Sequence, residues 1–410
     1  MNEQDLIISE LGHRGDGIAQ TEHGPVYVAG ALPGEKIRAR VLNGRAVDPT
    51  IVTASPDRIA PICGHSPTSG SCSMQHLAQE PYLKWKQDLV GRALKGAGIE
   101  AAVSETLSAT AGGRRRAVLT AGRAGRKPIL GYHERASQKL VDAAGCKALS
   151  PSIERALPDL LDIAVEVLPK KGDMRVTVLE TTAGLDVALE KADGRYDRKI
   201  PDLSRKCIEM DLARLSVNGE VLLEVRPPVL VMEGVGVVPP PGAFSQATLA
   251  GEEALCRLVL DGVGRAKTVA DLFSGIGTFA LRLAKRANVH AVESDANAIA
   301  AFDKAIRNAH GLKKVSFERR DLFRRPLVLE ELEPFDAVVF DPPRAGAQAQ
   351  AELLAQSGVK TIVAVSCNPA TFARDVRLLL DGGYALQSVT PVDQFHYSPH
   401  IEVVGVLIRE

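Results

Sequence analysis

The sequence predicts an α/β protein in three parts: a small amino-terminal β-barrel, a central α+β domain, and a carboxyl-terminal doubly wound parallel sheet. Three observations predict this. From Gly251 onward, short apolar runs alternate with helix-length amphipathic segments, which is the rhythm of βαβ units. Residues 6 to about 55 instead alternate apolar and polar positions between glycine turns, as small barrels do. Between these regions helical and strand-like periodicities mix. The expected boundaries are 1–56, 57–240 and 241–410, and a chain of 410 residues has room for two or three cores.

In the first part, Leu6-Ile7-Ile8, Val26-Tyr27-Val28 and Lys36 to Val41 are strand-like, broken by Gly15-Asp16-Gly17. Barrels of this size serve either as nucleic-acid platforms or as plain structural modules, and only Tyr27 is on hand to stack on a base. In the second part, Tyr82 to Val90 has helical periodicity, whereas Arg175 to Glu180 and Val221 to Val225 alternate like strands. The densest basic cluster of the chain, Arg114-Arg115-Arg116 with Arg123, Arg126 and Lys127 behind it, is spaced by glycines. Such a cluster is either a solvated face or a grip on RNA phosphates. In the third part the expected elements are a helix from Glu252 to Leu260, a strand over 267–273 and a helix over 278–286. A strand from Val289 to Glu293, a helix from Ala296 to Ala309 and strands over 315–318, 336–340, 361–366 and 401–408 follow.

Composition narrows the function. Hydrophobic residues make up 45% and charged residues 24% of the chain, and no apolar run is long enough to cross a bilayer. The first residues lack the basic and apolar segments of a secretory signal, so a cytoplasmic protein without a membrane partner is expected. Fifty basic and fifty acidic residues cancel, so any nucleic-acid affinity must come from local patches. Six cysteines in such a protein are thiols or metal ligands sooner than disulfides.

Three strand ends carry the chemistry. Asp271-Leu272-Phe273-Ser274-Gly275-Ile276-Gly277-Thr278 is a strand, a Gly-x-Gly turn and a helix start, which lets a ligand lie against backbone. The third glycine of the dinucleotide fingerprint and the Walker lysine are both absent. Glu293, at the end of the next strand, is placed to accept the hydroxyls of an adenosine ribose, and Asp321 to reach the adenine rim. One turn, one ribose acid and no phosphate grip describe S-adenosylmethionine better than NAD. The second strand end is Asp341-Pro342-Pro343-Arg344, and the third is Ser366-Cys367-Asn368-Pro369, which puts a thiol at the outlet of a sheet. Backbone donors or Arg344 would lower its pKa toward the nucleophilic thiolate. A cysteine, a methyl donor and an acid at Glu402 fit methylation at carbon 5 of uracil, with Cys367 adding at carbon 6 and Glu402 removing the carbon 5 proton. The target base would have to be flipped out or lie in a loop.

These residues resemble the RNA uracil-5-methyltransferase family, specifically its ribosomal-RNA branch, over nearly the whole chain. The resemblance rests on Phe244-Ser245-Gln246, Asp271 to Thr278, Val292-Glu293, Asp341 to Gly346, Ser366 to Thr371 and His400-Ile401-Glu402, in that order. It implies that the barrel is a TRAM domain, an OB-like RNA-binding fold. It further implies that Gln246, Phe273, Thr278, Glu293, Asp321 and Asp341 line the S-adenosylmethionine pocket, with Cys367 as nucleophile and Glu402 as base. Thr278 and Thr248 stand where relatives often have asparagine. The ribosomal branch also carries a four-iron, four-sulfur (4Fe-4S) cluster. Cys63, Cys72 and Cys146 fall at three ligand positions and Ser69 at the fourth, while Cys207 and Cys256 are expected in cores. The implied partner is 23S ribosomal RNA acted on by a monomer. Transfer RNA is the nearest alternative, and a non-catalytic RNA-binding or ribosome-assembly factor the next. The barrel and the cysteine trio favour the ribosome.

Overall fold

A computed structural model describes residues 3–66, 69–110, 112–135 and 137–409. Its three principal sheets follow one another along the chain, except that strand Leu107–Ser108 of the third precedes the second. The first runs in the order Gln4–Ile7, Lys36–Leu42, Arg45–Thr53, Gly24–Val28, Gly17–Thr21, Glu10–Leu11. Along Lys36–Leu42, Ile37 and Ala39 point inward while Arg38 and Arg40 stay exposed, the period-two pattern of a sheet with one wet face. Gln4–Ile7 also touches Gly17–Thr21, far from it in the strand order, so the sheet curls around Leu6, Val26, Val28 and Ile37.

The second sheet has seven strands between Arg116–Ala124 and Glu220–Glu224 at its chain extremes, antiparallel except where Gly184–Glu190 meets Arg214–Val217. Helix Pro151–Val167 covers it. Ile153, Leu157, Leu160, Ala164 and Val167 recur at helical spacing and pack on Leu119, Val176 and Leu215. Cys207 lies in this core.

The third sheet runs Val315–Arg319, Asn288–Glu293, Thr268–Leu272, Ala337–Phe340, Thr361–Ser366, Glu402–Ile408, Ala385–Asp393, Leu107–Ser108. The first five strands are mutually parallel, and Glu402–Ile408 enters antiparallel to Thr361–Ser366. Successive strand residues feed two separate cores. Val363 and Val365 face one with helices Leu249–Val263 and Ala296–Arg307; Ile362 and Ala364 face the other with Gln348–Leu354 and Pro369–Asp381. Cys256 sits in the former. Chain order reverses between Thr268–Leu272 and Ala337–Phe340, which opens a crevice beyond their carboxyl ends.

Two elements depart from the sequence expectation. Residues 278–286 hold only the four-residue helix Ala280–Leu283, because the turn containing Gly277, at φ 91°, runs to Phe279 before the helix begins. Helix Gln79–Gly96, expected in the middle part, packs on Pro369–Asp381 and adds Val90 and Leu94 to the core of the third sheet. Among the described residues no helix is long and apolar enough to cross a membrane.

Candidate active site

The crevice is a cavity of about 520 Å³, and Gln246, Phe273, Thr278, Glu293, Asp321, Asp341, Cys367 and Glu402 all line it. Each is delivered by a strand end or the loop after it. Thr268–Leu272 runs into Phe273, whose φ of 62° is a left-handed conformation that bulky residues seldom adopt outside functional sites. Its ring packs on Phe323 at 5.5 Å. At Gly277 a Cβ would fall 2.4 Å from the Phe302 ring, so only glycine lets helix Ala296–Arg307 approach this turn. At Gly275, with φ 55°, a Cβ would meet nothing within 4 Å, which leaves a bare backbone cradle in the cavity wall. Glu293 ties the loop down. Its Oε2 accepts the Gly275 N–H at 3.0 Å, and its Oε1 accepts the N–H groups of Ser294 and Asp295 at 2.6 and 2.8 Å. Asp321 accepts the Phe323 N–H at 3.0 Å and fixes the opposite rim.

Thr248 is not part of this lining. It caps helix Leu249–Val263, accepting the Gly251 N–H at 2.9 Å and donating to the Ala109 carbonyl at 2.6 Å. Gln246, two residues earlier, reaches the cavity and donates to Asp341 Oδ2 at 3.4 Å.

The reacting side chains are set by strand pairing. Ser366 pairs with Val403, which brings Cys367 and Glu402 to the same end of two neighbouring strands. Burial, helped by the Asp341 charge, pushes the Glu402 carboxyl up to about 8, against the hydrogen bond from Gln394. Burial likewise raises Asp341 to about 7. Cys367 corrects the expectation of a lowered thiol pKa. Arg344 does act downward, but burial and the charges of Glu402 and Asp341 outweigh it and push the thiol up to about 12. The thiol therefore rests protonated, and a cation brought beside it favours the thiolate.

Cys367 and Arg344 also line a second, larger cavity, a groove of about 1390 Å³. It runs from Asn368 and His400 past Arg92 and Arg135 to His13, Arg14, Tyr27 and Arg45 on the amino-terminal sheet. Among the described lining residues Glu134 is the one acid, and Lys139 neutralises it at 2.7 Å.

The run Arg114-Arg115-Arg116 does not supply this basic surface in the way its density suggested. Arg115 pairs with the buried Glu252, whose other oxygen holds Arg282 at 2.7 Å. Arg116 donates to the carbonyls of Ala243 at 2.9 Å and Gly242 at 3.3 Å, and Arg114 lies 5.4 Å over the Phe395 ring. The segment leading to the cavity has carbonyls and a carboxylate to satisfy, and the run turns inward to satisfy them.

The cysteine trio does not meet the requirements of a cluster. The Gln75 amide donates to Cys63 Sγ at 3.2 Å and also hydrogen-bonds Cys72, while Cys146 stands within electrostatic reach of Cys63. Burial, with the charges of the neighbouring cysteines, raises Cys72 to about 11 and Cys146 above its ordinary value. Ser69 is buried and accepts the Ser71 N–H. Among the described residues no three His, Cys, Asp or Glu side chains are placed to hold a metal ion.

Two participants escaped the sequence. Lys86 is fully buried and donates to Asp393 Oδ1 at 2.5 Å and to the carbonyls of Phe395 and His400 at 3.3 and 2.6 Å, pinning the loop that leads to Glu402. Gln394, also buried, donates to Glu402 Oε1 at 3.1 Å. Only the eight-residue spacing between Gln394 and Glu402 across a hairpin hints at that contact, and strand Ala385–Asp393 has no clear periodicity to reveal the hairpin.

Residues 257–410 match the tRNA (Uracil-5-)-methyltransferase family. An uncharacterized RNA methyltransferase of Agrobacterium fabrum is 45% identical over 414 residues, spanning 99% of this chain and 100% of that protein. A 23S rRNA (uracil(1939)-C(5))-methyltransferase of Alkalilimnicola ehrlichii is 32% identical over 440 residues, 99% of this chain and 96% of its own. The solved structure of Pyrococcus abyssi tRNA (uracil-54, C5)-methyltransferase in complex with S-adenosyl-L-homocysteine is similar at a TM-score of 0.78 and 25% identity. It covers 99% of this chain and 100% of that one.

Proposed function

The chain belongs to the RNA uracil-5-methyltransferase family, whose reaction depends on S-adenosylmethionine, and from that premise we propose that it methylates carbon 5 of a uridine in 23S ribosomal RNA through a covalent Cys367 adduct. One observation carries the proposal: Cys367 lies in the walls of both cavities, so a single sulfur faces a donor pocket and a basic groove. The donor pocket fits its ligand. A volume of about 520 Å³ is ordinary for a small-molecule site, the cradle at Gly275 admits a ligand against backbone, and carboxylates surround a space suited to a cation. In this assignment Gln246, Phe273, Thr278, Glu293, Asp321 and Asp341 hold the donor, which when bound supplies an electrophilic sulfonium methyl.

The chain's own residues do the rest. Cys367 loses its thiol proton to solvent, its Sγ thiolate adds to carbon 6 of the uracil, and the displaced π electrons make carbon 5 nucleophilic. After methylation Glu402 removes the carbon 5 proton, the C–H electrons form the C5–C6 double bond, and the C6–S bond breaks to return the thiolate. The curled amino-terminal sheet, as an OB-like TRAM module, and the groove arginines would hold the RNA. The three sheets support an organisation into barrel, central domain and methyltransferase domain, with helix Gln79–Gly96 and strand Leu107–Ser108 packing on the last. The ribosomal target is favoured by the 23S rRNA relative, which matches along nearly the full chain, over the more distant transfer-RNA enzyme.

Transfer of labelled methyl groups to unmodified 23S rRNA and, separately, to unmodified transfer RNA tests this. The expected result is incorporation into 23S rRNA as 5-methyluridine, abolished in Cys367→Ala while the protein stays folded. Full activity of Cys367→Ala would remove the nucleophile, and incorporation into transfer RNA alone would change the substrate.

A further inference from the structure

Gln394 joins the two halves of the reaction centre. Its amide has one acceptor and one donor end, and its orientation is not free: Oε1 accepts the backbone N–H of Ala247 at 2.9 Å, a partner that can only donate. Nε2 must then face the other way, where it donates to Glu402 Oε1 at 3.1 Å and to Gln246 Oε1 at 2.6 Å. Because the Gln246 oxygen is occupied, its own amide nitrogen is directed to Asp341 Oδ2. One backbone N–H thus sets the polarity of a chain of amides that delivers one N–H donor to each of two buried carboxyl groups.

We infer that Gln394 is a positioning residue for the final step, holding Glu402 toward the reacting base and stabilising it as the carboxylate that takes the carbon 5 proton. This inference rests on the function proposed above. The donor matters because Glu402 is otherwise poorly placed to ionise. Burial and Asp341 both hold its proton on, Lys86 and Arg344 act in the opposite sense, and Lys86 is already committed to Asp393. Cys367 faces Glu402 from the neighbouring strand as a neutral thiol, and His400 is held neutral by burial and the nearby cations, at about 4. Of the groups that favour the carboxylate, only the Gln394 amide donates a hydrogen bond to it among the described residues. Removing that N–H favours the protonated acid, so the pH at which half the protein holds an active base moves upward.

The test uses the full chain with an unmodified 23S rRNA transcript and S-adenosylmethionine. Formation and decay of the protein–RNA adduct are followed on denaturing gels across pH values on either side of about 8, the Glu402 value. Glu402→Gln serves as reference and accumulates adduct at every pH. Gln394→Met also frees Gln246 in the donor pocket, so adduct formation is scored separately from decay; the adduct, once formed, is expected to resolve roughly tenfold more slowly at neutral pH. The pH midpoint of this variant lies above that of the wild type, with recovery at high pH. Gln394→Glu keeps an acceptor for Ala247 but replaces the donor with a third acid and moves the midpoint further up; melting temperatures of both variants separate this shift from a folding defect. An unmoved midpoint in both variants, even with slower turnover, would reduce Gln394 to packing and overturn the inference alone. Absence of adduct in Glu402→Gln would overturn the covalent mechanism, and this inference with it.

Discussion

The pocket behind Cys367 and the groove in front of it have opposite chemistry. Glu293, Asp295, Asp321, Asp341 and Glu402 line the pocket beside Arg320 and Arg344, whereas five arginines line the groove, of which Arg45 and Arg135 pair with Asp16 and Arg92 with Glu10. An acidic pocket suits a sulfonium cation and a basic groove suits a polyanion. The thiol sits on the boundary between them, held neutral by burial and by the acids on its inner side. The difference teaches that ligand order can be written in electrostatics: filling the inner pocket with a cation offsets the charges that oppose ionisation of the nucleophile.

Variants that touch one side only can separate the two. Glu293→Ala removes the carboxylate that fixes the Gly-rich loop and is expected to weaken donor binding by on the order of 50-fold, as loss of a charged hydrogen-bonding group does. RNA affinity in a filter assay should not move, and parallel loss of both would merge pocket and groove into one site. Arg14→Ala combined with Arg45→Ala acts on the far end of the groove. RNA binding should weaken by about tenfold, and the slope of log affinity against log salt should fall by about two, with donor affinity unchanged in calorimetry. A salt slope equal to wild type would mean that RNA takes another path. The smallest effect is expected for Arg116→Ala, whose guanidinium serves carbonyls inside the protein. Its thermal midpoint should drop by a few degrees while RNA affinity stays put. Loss of RNA affinity with no thermal change would return the arginine run to the nucleic-acid surface.

The pocket was legible because each of its walls is a short contiguous motif at a strand end. Asp271 to Thr278, Glu293, Asp341 and Cys367 needed only the alternation of strands and helices to be placed on one edge. The groove was not legible. Its arginines stand at 14, 45, 92, 135 and 344, and nothing in local periodicity says that these converge. The contiguous run at 114–116 misled for the complementary reason, since charge density along a chain does not say what the side chains will face; here they met Glu252 and two carbonyls. Helix Gln79–Gly96 was legible as a helix, but an apolar stripe does not name the surface it will cover. The cysteine spacing suggested a cluster, yet serine stands at the fourth position, Gln75 is bonded to two of the sulfurs, and among the described residues no metal-holding group of three His, Cys, Asp or Glu side chains forms.

The burial of Lys86 against Asp393 has a practical corollary for dissecting the enzyme. The boundary at residue 241 suggested by the change in periodicity is not a clean place to cut. A fragment starting there would lack edge strand Leu107–Ser108, bare the flank of Pro369–Asp381, and strand Asp393 in the interior without its ammonium partner. Orphaning one member of such a pair costs about 3–5 kcal/mol. The shortest truncation that keeps the carboxyl-terminal sheet whole begins just ahead of Gln79, and it carries the entire central domain with it.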